Sequence, residues 1–266
     1  MTVRDIVKAV EEFAPFDVQK PGDNTGLQIG SLDQEVHGIM LGFDCTPELV
    51  DEAVAAGCDM IINHHPLLYH PARSINPDDP TGAAVCKAIR GGVAVYAAHT
   101  SADRVIAGVS GAMARKLGLT GIRILDPEGQ RRDVSGESYG FGAIGDLPAA
   151  LEPMEALELV KKTFGTAVVR HSRPIRGKVR TIAMCGGSGS SLIEAARAAG
   201  AQLYICGDIS YHYFFTPDDI MIADIGHFES EVEIVRVFDA LLRKKFPNFA
   251  VRISGSINDS NPIYYL

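Results

Sequence analysis

The chain of 266 residues has no tryptophan, and its five cysteines (Cys45, Cys58, Cys86, Cys185, Cys206) include no C-x-x-C pair. Neither a disulfide framework nor a zinc ribbon is therefore expected, and a reducing compartment, the cytoplasm, fits this thiol usage best. Long apolar runs are also missing: no stretch approaches the roughly 18 to 20 residues of a membrane span. The opening Met1-Thr2-Val3-Arg4-Asp5-Ile6-Val7 carries charge early and recurs apolar with a helical period, unlike a signal-peptide core, so secretion is not expected. Basic residues are in deficit, since 25 Lys and Arg against 33 Asp and Glu leave a net charge of −8. With no Lys/Arg cluster either, nucleic acid is not an expected partner. What remains is ordinary globular composition, 46% apolar and 22% charged with 27 Gly and 14 Pro, which excludes disordered, collagenous and coiled-coil classes.

The chain contains itself twice. Residues 36–69 align without gaps on residues 179–212, with Val36, Ile39, Leu49, Ala53, Gly57 and Ile62 falling on Val179, Ile182, Leu192, Ala196, Gly200 and Ile205. Each copy reads as an apolar strand, a turn, an Ala-rich helix ending at glycine, and a second strand. Further on, Ala98-His99-Thr100-Ser101-Ala102-Asp103 matches Gly226-His227-Phe228-Glu229-Ser230-Glu231, and the helices behind them match as well. The first copy carries a longer connection, with an extra helix expected over Gly82–Arg90. The reading is an α/β fold of duplicated units with mostly parallel sheets, forming two related domains. Residues 1–126 plus 227–266 are expected to form the first, carrying most of the metal ligands, and residues 127–226 the second. Pro127–Glu137 reads as the linker, followed by a strand over Tyr139–Ile144 and a helix near Pro153–Phe164.

Four of the eight histidines stand where a strand has just ended: His64 and His65 after Met60–Asn63, His99 after Val93–Ala98, and His227 after Met221–Gly226. Functional groups collect at the carboxyl ends of strands in α/β proteins. Leaving the pleat, adjacent His64 and His65 are able to diverge toward two neighbouring points. His99 with Asp103, and His227 with Glu231, are four apart at a helix opening, which puts each pair on one face. Imidazole with carboxylate suits Fe, Mn, Co or Zn, and with no well-spaced thiolate the expectation is a catalytic rather than a structural site. His64, His65, Asp103, His227 and Glu231 would give each of two divalent ions about three protein ligands and leave positions open for water. The plain alternative for Asp103 and Glu231 is a charge at a helix amino terminus.

Other motifs are less specific. His37 and His171 sit in polar surroundings and read as solvated, while His70 and His212 follow the repeat's strand ends closely enough for a substrate contact. Cys185-Gly186-Gly187-Ser188-Gly189 runs from strand into helix and reads first as a turn requiring positive φ, second as a cradle for an anion. Asn24 and Gln28, in Asp23-Asn24-Thr25-Gly26-Leu27-Gln28-Ile29-Gly30, are candidates to bond a polar ligand.

Together with Asn63-His64-His65-Pro66-Leu67, His99-Thr100-Ser101-Ala102-Asp103, Gly207-Asp208-Ile209-Ser210-Tyr211-His212 and Asp224-Ile225-Gly226-His227-Phe228-Glu229-Ser230-Glu231, that segment resembles the GTP cyclohydrolase I type 2 homologues, a family of dinuclear-metal proteins. The motifs run in order through nearly the whole chain. The resemblance implies a duplicated α/β fold, a toroidal homohexamer, and a two-metal site on its interior cavity. It places the ligands at the same five positions and sets His99 beside the metals. Gly142-Ala143-Ile144-Gly145-Asp146 departs from the family in having Ala where a basic residue is usual. The leading expectation is a metal-dependent hydrolase of GTP or a related nucleotide, with His99 as general base or proton shuttle. The alternative is a non-catalytic hexamer that handles metal or regulates a partner.

Overall fold

Local sequence signals set the element boundaries. In this computed structural model, which describes residues 1–130 and 136–266, helix α1 (Val3–Phe13) opens on a reciprocal cap. The Thr2 side chain accepts from Asp5 N–H while the Asp5 carboxylate accepts from Thr2 N–H, and Val3, Ile6, Val7 and Val10 form the buried stripe. Strands β1 (Gly26–Ile29) and β2 (Gly38–Leu41) follow, then α2 (Pro47–Ala55), which starts at an N-capping Thr46 with Pro47 in its first turn. Next come β3 (Met60–Asn63), α3 (Pro80–Gly91), β4 (Ala94–Ala97), α4 (Thr100–Asp103) and α5 (Val109–Lys116). The chain continues through β5 (Thr120–Gln130), β6 (Ser138–Leu151), α6 (Pro153–Phe164), β7 (Arg170–His171), β8 (Val179–Ser188), α7 (Ile193–Ala198), β9 (Leu203–Gly207) and β10 (Met221–Asp224). It ends with α8 (His227–Glu231), α9 (Ile234–Lys245) and β11 (Ala250–Ile253).

The elements divide into two compact units, Met1–Ala102 with Ile234–Tyr264 and Leu266, and Asp103–Glu233 with Tyr265. The first holds a five-stranded sheet in the order β1-β4-β3-β2-β11, parallel except for β1 against β4. Strands β2, β3 and β4 are buried throughout, the mark of parallel strands covered on both faces. Met40, Val50, Ile61, Ala84 and Val95 form one of its cores, and the Phe13 ring meets Phe238 of α9 edge-on at 6.4 Å.

The second unit holds a six-stranded sheet in the order β5-β6-β8-β9-β10-β7. Its parallel centre, β8-β9-β10, repeats β2-β3-β4 of the first unit, while β5, β6 and β7 pair antiparallel. Val160, Ile182, Leu203 and Met221 lie in one core of this unit, and Ile144, Ala183, Tyr204 and Ile222 in another.

The duplicated α/β architecture is thus as expected, and α3 and α6 fall where the sequence places them. The contact boundaries lie at 102/103 and 233/234, where the sequence reading puts 126/127 and 226/227. The reason is an exchange of closing helices. Helix α5, which follows the first repeat, packs on β5, β6 and β8, whereas α9, which follows the second, packs on β2 and β11. The expected linker is also different: Pro127–Gln130 belong to β5, with Pro127 opposite Gly140 and Gln130 opposite Ser138. Residues 131–135 of that segment lie outside the described residues.

Candidate metal centre

In the first unit three imidazoles stand at the carboxyl ends of neighbouring parallel strands. His64 and His65 leave β3 and His99 leaves β4, and each offers a ligand atom within 4.8 Å of the others. Each ring is fixed through Nδ1. His64 Nδ1–H donates to Ala98 O at 2.9 Å, His65 Nδ1–H to Asp44 Oδ1 at 2.7 Å, and His99 Nδ1–H to Asp23 Oδ1 at 2.7 Å. A carbonyl or carboxylate oxygen only accepts, so these contacts put a hydrogen on Nδ1, and in the neutral ring they leave the lone pair on Nε2. His64 is fully buried, and its ring lies nearly parallel to Phe43, with centroids 5.8 Å apart.

Two of the anchoring carboxylates come from distant segments. Asp44 follows β2; Asp23 precedes β1, which runs antiparallel to β4 and so brings its amino end beside the end of β4. The Asp23 side chain is 2% exposed and accepts from His99 Nδ1, the Thr100 backbone N–H and hydroxyl, and the Thr25 hydroxyl. Burial raises its pKa, but the bonds from His99 and Thr100 outweigh burial and hold it well below the usual carboxylate range.

Asn24 and Gln28 are engaged with the chain itself. Asn24 Nδ2 donates to Leu68 O at 2.6 Å and Gln28 Oε1 accepts from Leu68 N–H at 3.3 Å, bracing the loop behind His64-His65-Pro66. The Asn63 amide reinforces that turn by donating to His65 O.

In the second unit His227 and Glu231 open and close α8, four residues apart. His227 Nδ1–H donates to Asp208 Oδ2 at 2.6 Å, and His227 Nε2 lies 3.0 Å from Glu231 Oε2. With Nδ1 carrying the hydrogen, an Nε2 lone pair faces a carboxylate oxygen. That arrangement is stable only with a proton or a cation between them. Glu231 is 4% exposed. Asp103 and Glu231 both lie close enough to Cys185 to help push its thiol pKa well above normal, after burial, the larger cause.

The glycines at the end of β8 serve a different purpose from an anion cradle. Gly187 has φ +58°, as the turn reading requires, but a Cβ there would overlap Glu231 Oε1 and stand 3.1 Å from His227 Cε1. Its N–H donates to Ser230 Oγ at 2.9 Å. A Cβ on Gly207, at the end of β9, would come within 2.8 Å of the His227 backbone N and Cα. The glycines are small because the His227–Glu231 turn is pressed against them.

The other histidines lie apart from these groups. His37 pairs with Asp59 at 2.7 Å on the surface, His171 donates to Ser172 O, and exposed His70 and His212 stack edge-on with their own neighbours Tyr69 and Tyr211. Ala143 is fully buried in a core of the second unit.

The duplicated α/β chain thus carries oriented imidazoles and a buried carboxylate near the ends of its parallel strands, groups that could hold a metal ion. Comparison with known proteins then gives the family: residues 1–262 match Duf34/NIF3 (NGG1p interacting factor 3), and the chain belongs to it. A GTP cyclohydrolase 1 type 2 homolog of Clostridium acetobutylicum is 30% identical over 263 residues, 98% of this chain and 97% of that protein. One from Streptococcus pneumoniae is 31% identical, with 100% of both chains covered. The Staphylococcus aureus hypothetical protein SA1388 has the same fold, with a TM-score of 0.91 at 24% identity, covering 100% of this chain and 99% of that one. Reduced HcgD from Methanocaldococcus jannaschii superposes with a TM-score of 0.77 at 24% identity, covering 95% and 97%. Among the described residues no helix is long and apolar enough to cross a membrane.

Proposed function

We propose that this protein is a metal-dependent hydrolase in which His64, His65, Asp103, His227 and Glu231 share two divalent ions, with a nucleotide such as GTP as substrate and a homohexamer as the working form. The observation that carries this reading is the common state of four strand-end histidines: each gives its Nδ1 hydrogen to a carbonyl or carboxylate, which reserves Nε2 for a ligand. Core histidines have no need of so uniform an arrangement, whereas metal-binding ones are held this way as a rule.

Three imidazoles and two acids fit Fe, Mn, Co or Zn. Such ions, when bound, acidify water and polarise a substrate oxygen. The protein's own part is orientation and proton movement. His64 and His65 are neutral donors on a rigid strand end, and Asp103 and Glu231 bring negative charge. His99, held on Asp23, accepts a proton at Nε2 as water adds to the substrate and returns it to the leaving group. Phe43 and its buried neighbours keep bulk water from the far side of His64.

Purified protein assayed for metal content and against a nucleotide panel tests this. Expected are bound metal and metal-dependent turnover, with turnover lost in His64→Ala and Glu231→Gln. His99→Ala should retain metal and lose turnover by about 100-fold or more, the usual worth of a general base. Metal without turnover on any substrate would favour metal handling instead.

A further inference from the structure

Asp208 is the one non-glycine residue with positive φ among the described residues, at +54°. Left-handed backbone is unfavourable for an L-residue and persists where the surroundings over-determine it. Here they do. The buried Asp224 carboxylate accepts from Ile209 N–H at 3.0 Å on one side and from Gly226 N–H at 3.0 Å on the other. Asp224 is itself held by Arg170 at 2.9 Å, and Arg170 also donates to Ile209 O at 3.1 Å. One carboxylate thus ties the turn after β9 to the turn that launches His227. The product of that clamp is the 2.6 Å bond from His227 Nδ1 to Asp208 Oδ2.

We infer that Asp208 is a positioning residue for His227, kept in a strained backbone conformation for that purpose, with Asp224 and Arg170 as the clamp that holds the strain. The inference rests on His227 being a metal ligand as proposed above. A glycine at 208 would relax the backbone, yet the chain carries an acid there, and the acid's carboxylate reaches the ring nitrogen that fixes the direction of Nε2. Gly, Asn and Asp are the residues such a turn accepts, and of the three only Asp brings a charged acceptor to the ring.

The prediction has opposite signs for stability and for metal. In Asp208→Gly the backbone is relieved, so the melting temperature of the metal-free protein stays level or rises, while Co²⁺ affinity falls by about tenfold, the lower end for loss of a partner behind a ligating histidine and suited to a half-exposed pair. Asp208→Asn, which retains an acceptor but not the charge, should fall between this variant and wild type. The Co²⁺ absorption bands should shift in the Gly variant, and the imidazole N–H resonance of His227 in the metal-free protein should lose its hydrogen-bonded downfield position. Unchanged Co²⁺ affinity and an unchanged His227 resonance in Asp208→Gly, beside a wild type that binds Co²⁺ and a His227→Ala variant that binds it weakly, would overturn the inference and leave the metal reading intact. A large fall in melting temperature in Asp208→Gly would also overturn it, by showing an ordinary structural role. If wild type and His227→Ala both fail to bind Co²⁺, the metal reading falls and takes this inference with it.

Discussion

Laid over one another, the two repeats put different chemistry on some equivalent backbone positions and the same chemistry on others. His64 and His65 of the first fall on Gly207 and Asp208 of the second, Asp44 on Gly187, His99 on His227, and Asp103 on Glu231. In the first unit the position after β3 supplies a histidine whose ring is steadied by Asp44. In the second the equivalent position supplies the acid that steadies His227, and the place of Asp44 is emptied to a glycine so that Glu231 fits. The first repeat therefore offers three imidazoles in a row, anchored on Ala98 O, Asp44 and the buried Asp23. The other offers a tightly packed acid and a single imidazole on a five-residue helix. Duplication retained the scaffold and the His-x-x-x-carboxylate pair, and changed the residues after the first and second strands.

The largest effect that would break this comparison is removal of one donor from each side. His64→Ala and Glu231→Gln should each lower bound metal measured by elemental analysis; equal retention by either variant would show that its repeat contributes nothing. Gly187→Ala comes next. A methyl at φ +58° overlapping the Glu231 carboxylate should cost about 2 to 4 kcal/mol in denaturant unfolding, from left-handed strain and overpacking together. The equivalent substitution in the first repeat, Asp44→Ala, removes a hydrogen bond rather than adding bulk and should cost about 1 kcal/mol. A milder result for Gly187→Ala than for Asp44→Ala would contradict the assignment of that glycine as a seat for Glu231.

A smaller effect concerns pH. The folded pKa of Asp23 lies below its unfolded value, so its contribution to stability is present above about pH 4 and is lost as pH falls through the folded value. Asp23→Asn should therefore be less stable than wild type at neutral pH, with the gap closing on acidification; a gap independent of pH would remove the ionic part of the Asp23–His99 pairing. The smallest effect is in thiol labelling. Burial pushes Cys45 up to about 12 and holds Cys185 well above the ordinary thiol range, so neither should react in the native protein. Gly187→Ala should speed modification at Cys185 and leave Cys45 unchanged, which would locate the disturbance in the second unit.

Much of this was legible from the chain alone, because hydrophobic period, caps and repeated segments are local signals. Strand ends bearing His64, His65, His99 and His227 follow from such signals. Their partners do not: Asp23, Asp44 and Asp208 stand 76, 21 and 19 residues from the rings that they hold, and register rather than spacing brings them there. Both Asp23 and Asp208 lie inside recognisable motifs, yet nothing in the motif tells a capping acid from one aimed at an imidazole. The glycine run is ambiguous for the opposite reason. Small residues at a strand-to-helix turn suit an anion, a positive φ or a close neighbour equally well, and only the position of Glu231 decides among them.

The exchange of α5 and α9 has a consequence for the order of events during synthesis. Residues 103–233 form a continuous body able to close on itself as it emerges, whereas the earlier-made body waits for 234–253 to supply a helix and the outermost strand of its sheet. The part of the chain made first is thus finished last.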